Sequence, residues 1–269
     1  MAGHVITTYF ESLGIYDVYN SSVEPFNKKT IIIDAFDRTA VSAVLQAVKP
    51  DVVINCVGLL IQASDKNPDT AFYLNSFFPH YLVRKGRELN FKLIHLSTDC
   101  VFSGKKGDYT ENDFKDGQGY YAISKAAGEI VNNVDLTFRM SIAGPDINVN
   151  GTGLLQWFLH QKGEVNGFVN TFWTGITTLE LAKGIKAAID QNLTGLYHFV
   201  PPTKISKHDL LCLFNDIWKR GLKINKDERP GSDKSLVNTR HDFKYTFKTY
   251  REMLVELKEW MEAHPALYK

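Results

Sequence analysis

The chain has 269 residues, apolar and charged fractions of 44% and 23%, and a formal net charge of +1. That length suits one large α/β domain, or a nucleotide-binding core with a smaller lobe, and it can bury a core without disulfides or structural metal. The near-neutral charge gives no bulk attraction to nucleic acid or to an anionic membrane, so neither is an expected partner.

In chain order, residues 1–13 predict a helix closed by Gly14, 16–19 a weak strand, 30–33 a strong strand ending at Asp34, and 39–48 a helix. The runs 51–58 (DVVINCVG) and 92–97 (KLIHLS) are nearly continuous apolar strands, the pattern of buried central strands in a parallel sheet. A helical stretch over 68–89 separates them, and another over 122–132 precedes the strand 136–142 (LTFRMSI). This alternation predicts an α/β fold, a Rossmann-type doubly wound parallel sheet. After Gly144-Pro145 the character changes. Residues 146–153 read as a loop, 154–161 as a helix, 168–173 as an aromatic segment, 178–191 as an amphipathic helix and 195–200 (GLYHFV) as a strand. Helices over 206–220 and 249–264 complete a more polar C-terminal part. Residues 1–145 are therefore expected to form the dinucleotide-binding domain, with 174–195 returning to it. Residues 146–269 mainly form a smaller α/β substrate lobe.

A nucleotide-binding unit of this type begins with a strand and a glycine-rich turn before its first helix. Only Met1-Ala2-Gly3 stands in that place, so the expectation is a chain shortened at its N-terminus. Cys56, Cys100 and Cys212 have no Cys-x-x-Cys or metal-ligand spacing. They read as reduced, buried thiols of a cytoplasmic protein, and no metal site is expected. No stretch approaches a transmembrane helix.

Tyr121 and Lys125 (YYAISKAAGE) are four residues apart among helix formers, which puts them on one helix face. A phenol is a poor acid–base group at neutral pH, and a neighbouring ammonium favours its ionised form. An amphipathic surface helix would carry the same spacing. Upstream, a strand ends in Ser97-Thr98-Asp99, and functional groups of open α/β sheets gather at such carboxyl ends. A Thr98 hydroxyl there can polarise a carbonyl, while turn capping is the alternative role for these residues. Asp34, at another strand end, can accept from an adenine amino group. Cys56-Val57-Gly58 are small enough for close approach of a ribose or nicotinamide, and Asn75 can bridge strands at the sheet end. His95 reads as a satisfied core residue.

Taken together, N-C-V-G, Asn75 with Pro79, S-T-D-C-V-F-S-G, Y-A-I-S-K-A-A-G-E and F-R-M-S-I-A-G-P closely resemble the extended short-chain dehydrogenase/reductase superfamily. Within it they resemble the dTDP-4-dehydrorhamnose reductase (RmlD-like) family. The resemblance implies reduction of a 4-keto-6-deoxy sugar nucleotide by NADPH or NADH, serving surface polysaccharide synthesis. It assigns Thr98 to polarising the keto oxygen, Tyr121 to donating the proton, and Lys125 to tuning Tyr121 and holding the nicotinamide ribose. It places Met1, Ala2 and Gly3 at the pyrophosphate, Asp34 and Ala35 near the adenine, and Cys56, Val57 and Gly58 beside the cofactor. Thr98, Asp99, Ile142, Trp173 and Arg229 fall on the substrate side. Cys100 and Ile142 depart from the Tyr and Trp common in the rhamnose enzymes. Phe168, Phe172 and Trp157, with Trp173, either line the substrate cleft or pack the lobes together. Arg139 and Arg229 either meet a diphosphate or form ordinary ion pairs. A nucleotide sugar is the expected partner, with a homodimer as one option for assembly. The alternatives are an NAD-dependent epimerase or dehydratase, and a non-catalytic RmlD-like subunit of the kind found with methionine adenosyltransferase.

Overall fold

The computed structural model describes residues 1–148, 151 and 153–268. Helix α1 (Ala2–Leu13) ends at Gly14 in the left-handed region (φ 66°), the conformation for which glycine has no steric cost. Strands β1 (Ser21–Ser22) and β2 (Ile31–Ile32) pair in parallel and are followed by α2 (Arg38–Val48), whose N-terminal amides of Thr39 and Ala40 are capped by Asp37. Then come β3 (Val52–Asn55), α3 (Ile61–Lys66), α4 (Pro68–Phe72), a π-helical turn at Tyr73–Phe77, and α5 (Phe78–Leu89). Next are β4 (Lys92–Thr98), α6 (Gly119–Ala127), β5 (Leu136–Met140) and β6 (Ile142–Ala143). The remainder comprises α7 (Leu154–Leu159), β7 (Glu164–Phe168), β8 (Phe172–Trp173), β9 (Ile176–Thr177), α8 (Thr178–Asp190) and β10 (Gly195–His198). It closes with β11 (Ile205–Ser206), α9 (Lys207–Ile217), β12 (Lys223–Asp227) and α10 (Tyr250–Ala263).

The main sheet is parallel, in the order β10-β5-β4-β3. Adjacent residues Leu93 and Ile94 of β4 point into different hydrophobic clusters, as strand alternation requires. Ile94, Leu136, Phe138 and Met140 pack with Ile6 and Phe10 of α1 and Leu181, Ala182, Ile185 and Ala188 of α8. Leu93 packs with Val41, Leu45, Phe78, Tyr81 and Leu82 from α2 and α5. Helices therefore cover both faces of the sheet, the doubly wound arrangement. A further cluster unites Val165, Leu210, Leu211, Phe214, Leu254 and Leu257 with Val5 and Leu179, joining the C-terminal elements to α1 and α8. No helix among the described residues is long and apolar enough to cross a membrane.

Several elements differ from the sequence expectation. Residues 16–19 form no strand; the pairing falls just beyond them, at Ser21–Ser22. Among the described residues, no strand links the β1–β2 pair to β3. The helix over 68–89 is interrupted by its π turn. The helix over 122–132 stops at Ala127, capped by Gly128, whose amide donates to the Ser124 and Lys125 carbonyls and where a Cβ would lie 1.8 Å from the Asn75 carbonyl oxygen of the π turn. The parallel pair β7–β12 is absent from the expectation because its sequences, EVNGF and KINKD, carry few apolar residues. Of the expected loop 146–153, residues 149, 150 and 152 lie outside the described residues. All three cysteines are free, but Cys56 is exposed, not buried, because β3 ends before it; Cys100 and Cys212 are half-buried.

The contact at Gly128 fixes how closely α6 approaches the Asn75 turn. Gly128→Ala is expected to destabilise the protein by about 1–3 kcal/mol through overpacking, measured by urea unfolding. An unchanged midpoint would show that the two segments are not held at this distance.

Candidate active site

Thr98 is the last residue of β4, and its hydroxyl oxygen accepts from the Cys100 amide (3.1 Å) while its proton points to Asp99 Oδ1 (3.2 Å). The turn-capping role and the strand-end position thus coexist. Tyr121 lies in the first turn of α6 beside Thr98. Burial pushes its phenol above the ordinary tyrosine range, with nearby Cys100 and Asp99 adding to the shift and a hydrogen bond with Thr98 opposing it. Lys125 is buried one helical turn on, and its ammonium donates to the Leu96 carbonyl at 2.6 Å. Burial brings its pKa down to about 8, against the opposing influence of Glu129 and Cys56. No direct hydrogen bond joins Lys125 to Tyr121 among the described residues; β4 anchors the ammonium instead.

Beneath these groups lies an ionic network. Arg139, 1% exposed, donates Nε to Glu129 Oε1 and Nη2 to Glu129 Oε2, both at 2.7 Å. Ser97 donates to Glu129 Oε1 (2.7 Å), and Lys115 reaches Glu129 Oε2 at 3.1 Å. Burial opposes ionisation of Glu129, but the Arg139 fork, Ser97 and Lys115 hold its pKa below the ordinary value. Arg139 Nη1 meets His198 Nε2 at 2.7 Å, while His198 Nδ1 lies 2.9 Å from the Val237 carbonyl. Because an arginine can only donate, Nε2 accepts and Nδ1 carries the proton. Burial and the Arg139 charge lower the His198 pKa. The expectation that Arg139 meets a diphosphate is therefore corrected: its guanidinium is committed inside the core.

On the cofactor side, the first turn of α1 has no side-chain cap, and a Cβ on Gly3 would stand 3.6 Å from Cys56 Cβ. Met1, Ala2 and Gly3 thus converge with Cys56, Val57 and Gly58, the last three all exposed. Asp34 is exposed and accepts from the Phe36 amide at 2.9 Å, with half-buried Ala35 between them. Uncapped amides at a helix start, small residues beside them and an exposed carboxylate fit the pyrophosphate, ribose and adenine of a dinucleotide. Asn75 joins the Leu59 backbone (2.8 and 3.0 Å) to Ser124 (3.1 Å), so it ties the loop after β3 to α6 rather than bridging strands. His95 shares Nδ1 with the Asn55 amide at 3.2 Å, but its Nε2 is buried with no partner, so the core histidine is only half satisfied.

The substrate-side residues divide. Asp99 is buried next to Thr98, and burial raises its pKa against the pull of Lys207 and Lys234. Ile142 is half-buried in β6, paired with Ile176. Trp173 is 4% exposed, donates Nε1–H to Ser141 (2.8 Å) and lies over the Gly175 backbone. Of the two roles expected for this aromatic, packing is the one its surroundings show, within the C-terminal cluster. Arg229 is correspondingly tied to Asp227 through Nε (2.9 Å) and Nη2 (2.6 Å), a surface ion pair rather than a free anion receptor. Phe168 and Trp157 are 39% and 41% exposed, while Phe172 is half-buried in β8. Sequence reasoning missed Glu129, which closes the quoted Y-A-I-S-K-A-A-G-E segment but was not singled out there; its role shows only once Arg139, Ser97 and Lys115 are seen around it.

A family model described as the RmlD substrate binding domain matches residues 16–226. The dTDP-4-dehydrorhamnose reductase of Mycobacterium tuberculosis is 39% identical over 85 residues, covering 29% of this chain and 28% of that protein. The chain thus spans less than a third of the length of this curated relative. Methionine adenosyltransferase 2 subunit beta of Danio rerio is 25% identical over 221 residues, covering 74% of this chain and 64% of that one. The crystal structure of dTDP-4-dehydrorhamnose reductase from Bacillus anthracis in complex with NADP matches the fold with a TM-score of 0.80 at 20% identity, covering 96% of this chain and 95% of that one.

His198, His95 and His4 are all held neutral by burial, their pKa values lowered in the folded protein. In the unfolded chain they take up protons below about 6.5, so stability is full above that pH and falls as pH drops. Urea midpoints measured between pH 7 and 4.5 should decline, and less steeply in His198→Asn. A flat profile would contradict the neutral assignments.

Proposed function

The chain belongs to the RmlD substrate-binding-domain family, and from that premise we propose that it reduces the 4-keto group of a 6-deoxy sugar nucleotide with NADPH or NADH. The observation that carries this reading is the convergence of Thr98, Tyr121 and Lys125 at the carboxyl end of β4, beside the Met1–Gly3 turn and Cys56. In this reading the amides at the start of α1 hold the pyrophosphate, Asp34 and Ala35 border the adenine, and Lys125 holds the nicotinamide ribose. When bound, the dinucleotide supplies the hydride.

The chain's own groups manage the oxygen. The Thr98 hydroxyl, which donates to Asp99 in the free protein, turns its proton to the keto oxygen and fixes the carbonyl beside Tyr121. Tyr121 must keep its proton until negative charge develops on that oxygen, and burial enforces this by raising its pKa. The Lys125 ammonium then favours the phenolate that remains. Leu96 sets its position by accepting from Nζ. A role in surface polysaccharide synthesis accords with such a product.

A second reading, a binding subunit without turnover, draws support from the likeness to the Danio rerio beta subunit. NADPH oxidation with dTDP-4-dehydrorhamnose as the probe separates the two. We expect turnover in the parent chain and a fall of about a hundredfold or more in Tyr121→Phe, at unchanged NADPH affinity. The rate should hold at neutral pH and fall above about 8 as Lys125 loses its charge. NADPH binding without oxidation would favour the binding subunit, and retained NAD without net turnover an epimerase.

A further inference from the structure

Helix α9 carries a cluster of reactive side chains that the reductase reading does not use. His208 and Cys212 are one helical turn apart on this helix, so they share a face. Cys212 Sγ stands 3.8 Å from His208 Nε2 and 4.0 Å from Nδ1. His208 Nδ1 in turn lies 2.9 Å from Asp209 Oδ1, and the other Asp209 oxygen accepts from the Ser206 hydroxyl at 2.8 Å. A carboxylate can only accept, so Nδ1 carries the proton and the neutral ring keeps Nε2 as an acceptor. The imidazole is also packed on β7: a Cβ at Gly167 would lie 2.6 Å from His208 Cα and 3.3 Å from its Cδ2. The ring is thus held in place from two sides.

The thiol has access to solvent. Cys212 is half-buried and lines an open surface cavity of about 440 Å³ together with Asn215, Asp216, Lys219 and Gly221. Asn215 is fixed there by bonds in both directions to the Leu222 backbone (2.8 and 2.9 Å). A cavity of this size admits a small molecule. Burial and the Asp209 carboxylate raise the Cys212 pKa, against the pull of Lys226 on β12, so the thiol is protonated at rest. A nucleophile forms only when a base removes that proton, and His208 is the base within reach. Cys56 and Cys100 are likewise held protonated by burial, but no histidine is hydrogen-bonded to either among the described residues.

We propose that Cys212, His208 and Asp209 form a thiol-exchange site that reacts with a low-molecular-weight disulfide. His208 Nε2 takes the thiol proton, and the Cys212 thiolate attacks one sulfur of the disulfide. The S–S bond of the small molecule breaks as the mixed disulfide forms, and the departing thiolate takes the proton back from the imidazolium. The small disulfide is itself the oxidant, so no further one is needed. Asp209 keeps the ring in the accepting tautomer and stabilises the imidazolium while it lasts. This site stands whether or not the chain reduces a sugar nucleotide.

The test is incubation of the full chain with oxidised glutathione at neutral pH, followed by intact mass and peptide mapping. It compares the parent with Cys212→Ser, His208→Gln and Asp209→Asn. The first adduct should form at Cys212 and be missing in Cys212→Ser. His208→Gln should slow it by about tenfold to a hundredfold, the contribution of a positioned base, and Asp209→Asn by a smaller factor. Both deficits should close at about pH 10, where the thiol ionises without the ring. A change in packing alone would alter the rate at both pH values alike. First modification at Cys56 or Cys100, or no adduct at all, would overturn the proposal. So would neutral-pH rates within about twofold of the parent in both ring-side variants, or a deficit that persists unchanged at high pH. Asp209 is exposed, so its variant keeps the test decisive if His208→Gln fails to fold.

Discussion

The bidentate pair between Arg139 and Glu129 is the constraint on which the rest of the site is built. Glu129 follows the end of α6 by two residues, and Arg139 lies in β5. A paired carboxylate and guanidinium, each 1% exposed at the side chain, cannot separate without leaving a charge in the core. The pair therefore locks the end of α6 to the centre of the sheet. Ser97 joins it through Glu129, which fixes the β4 residue immediately before Thr98. His198 joins it through Arg139, which brings in β10, and the Val237 carbonyl carries the link into the C-terminal segment.

Two consequences for chemistry follow from this arrangement. Lys125 lies on α6 one turn before Glu129, so its height over the Leu96 carbonyl is set by the same anchor. Its ammonium also feels the Glu129 carboxylate, which opposes the loss of charge that burial favours. Tyr121, one turn earlier, sits where Thr98 can share a hydrogen bond with it. The π turn at Asn75 holds the opposite side of α6, with Asn75 gripping Ser124 and Ser76 donating to the Ser124 carbonyl at 2.7 Å. The helix that carries Tyr121 and Lys125 is thus held by polar contacts on two sides, the rigid mounting that the proposed acid–base roles require.

Much of this was legible in the chain because it depends on local spacing. Tyr121 and Lys125 share a helix face by periodicity, and Thr98 closes an unmistakable apolar strand. The doubly wound sheet followed from alternating strands and helices. The features that escaped depend on contacts between distant segments. The tight approach of Gly128 to the Asn75 carbonyl, 53 positions away, is recorded by no local pattern. Arg139 looks like any strand-end arginine until Glu129 and His198 are seen around it. Trp173 has the composition of a cleft residue, but its indole is held by Ser141 and Gly175.

The measurement that bears most directly on this account is a double-mutant cycle on the buried pair, followed by urea unfolding. Arg139→Met and Glu129→Leu should each cost about 3–5 kcal/mol, because each leaves its partner charged and buried. The double variant should recover a large part of the loss. Singles that add to within about 0.5 kcal/mol would mean the two residues are independent, and would contradict the claim that this pair holds the reaction centre together.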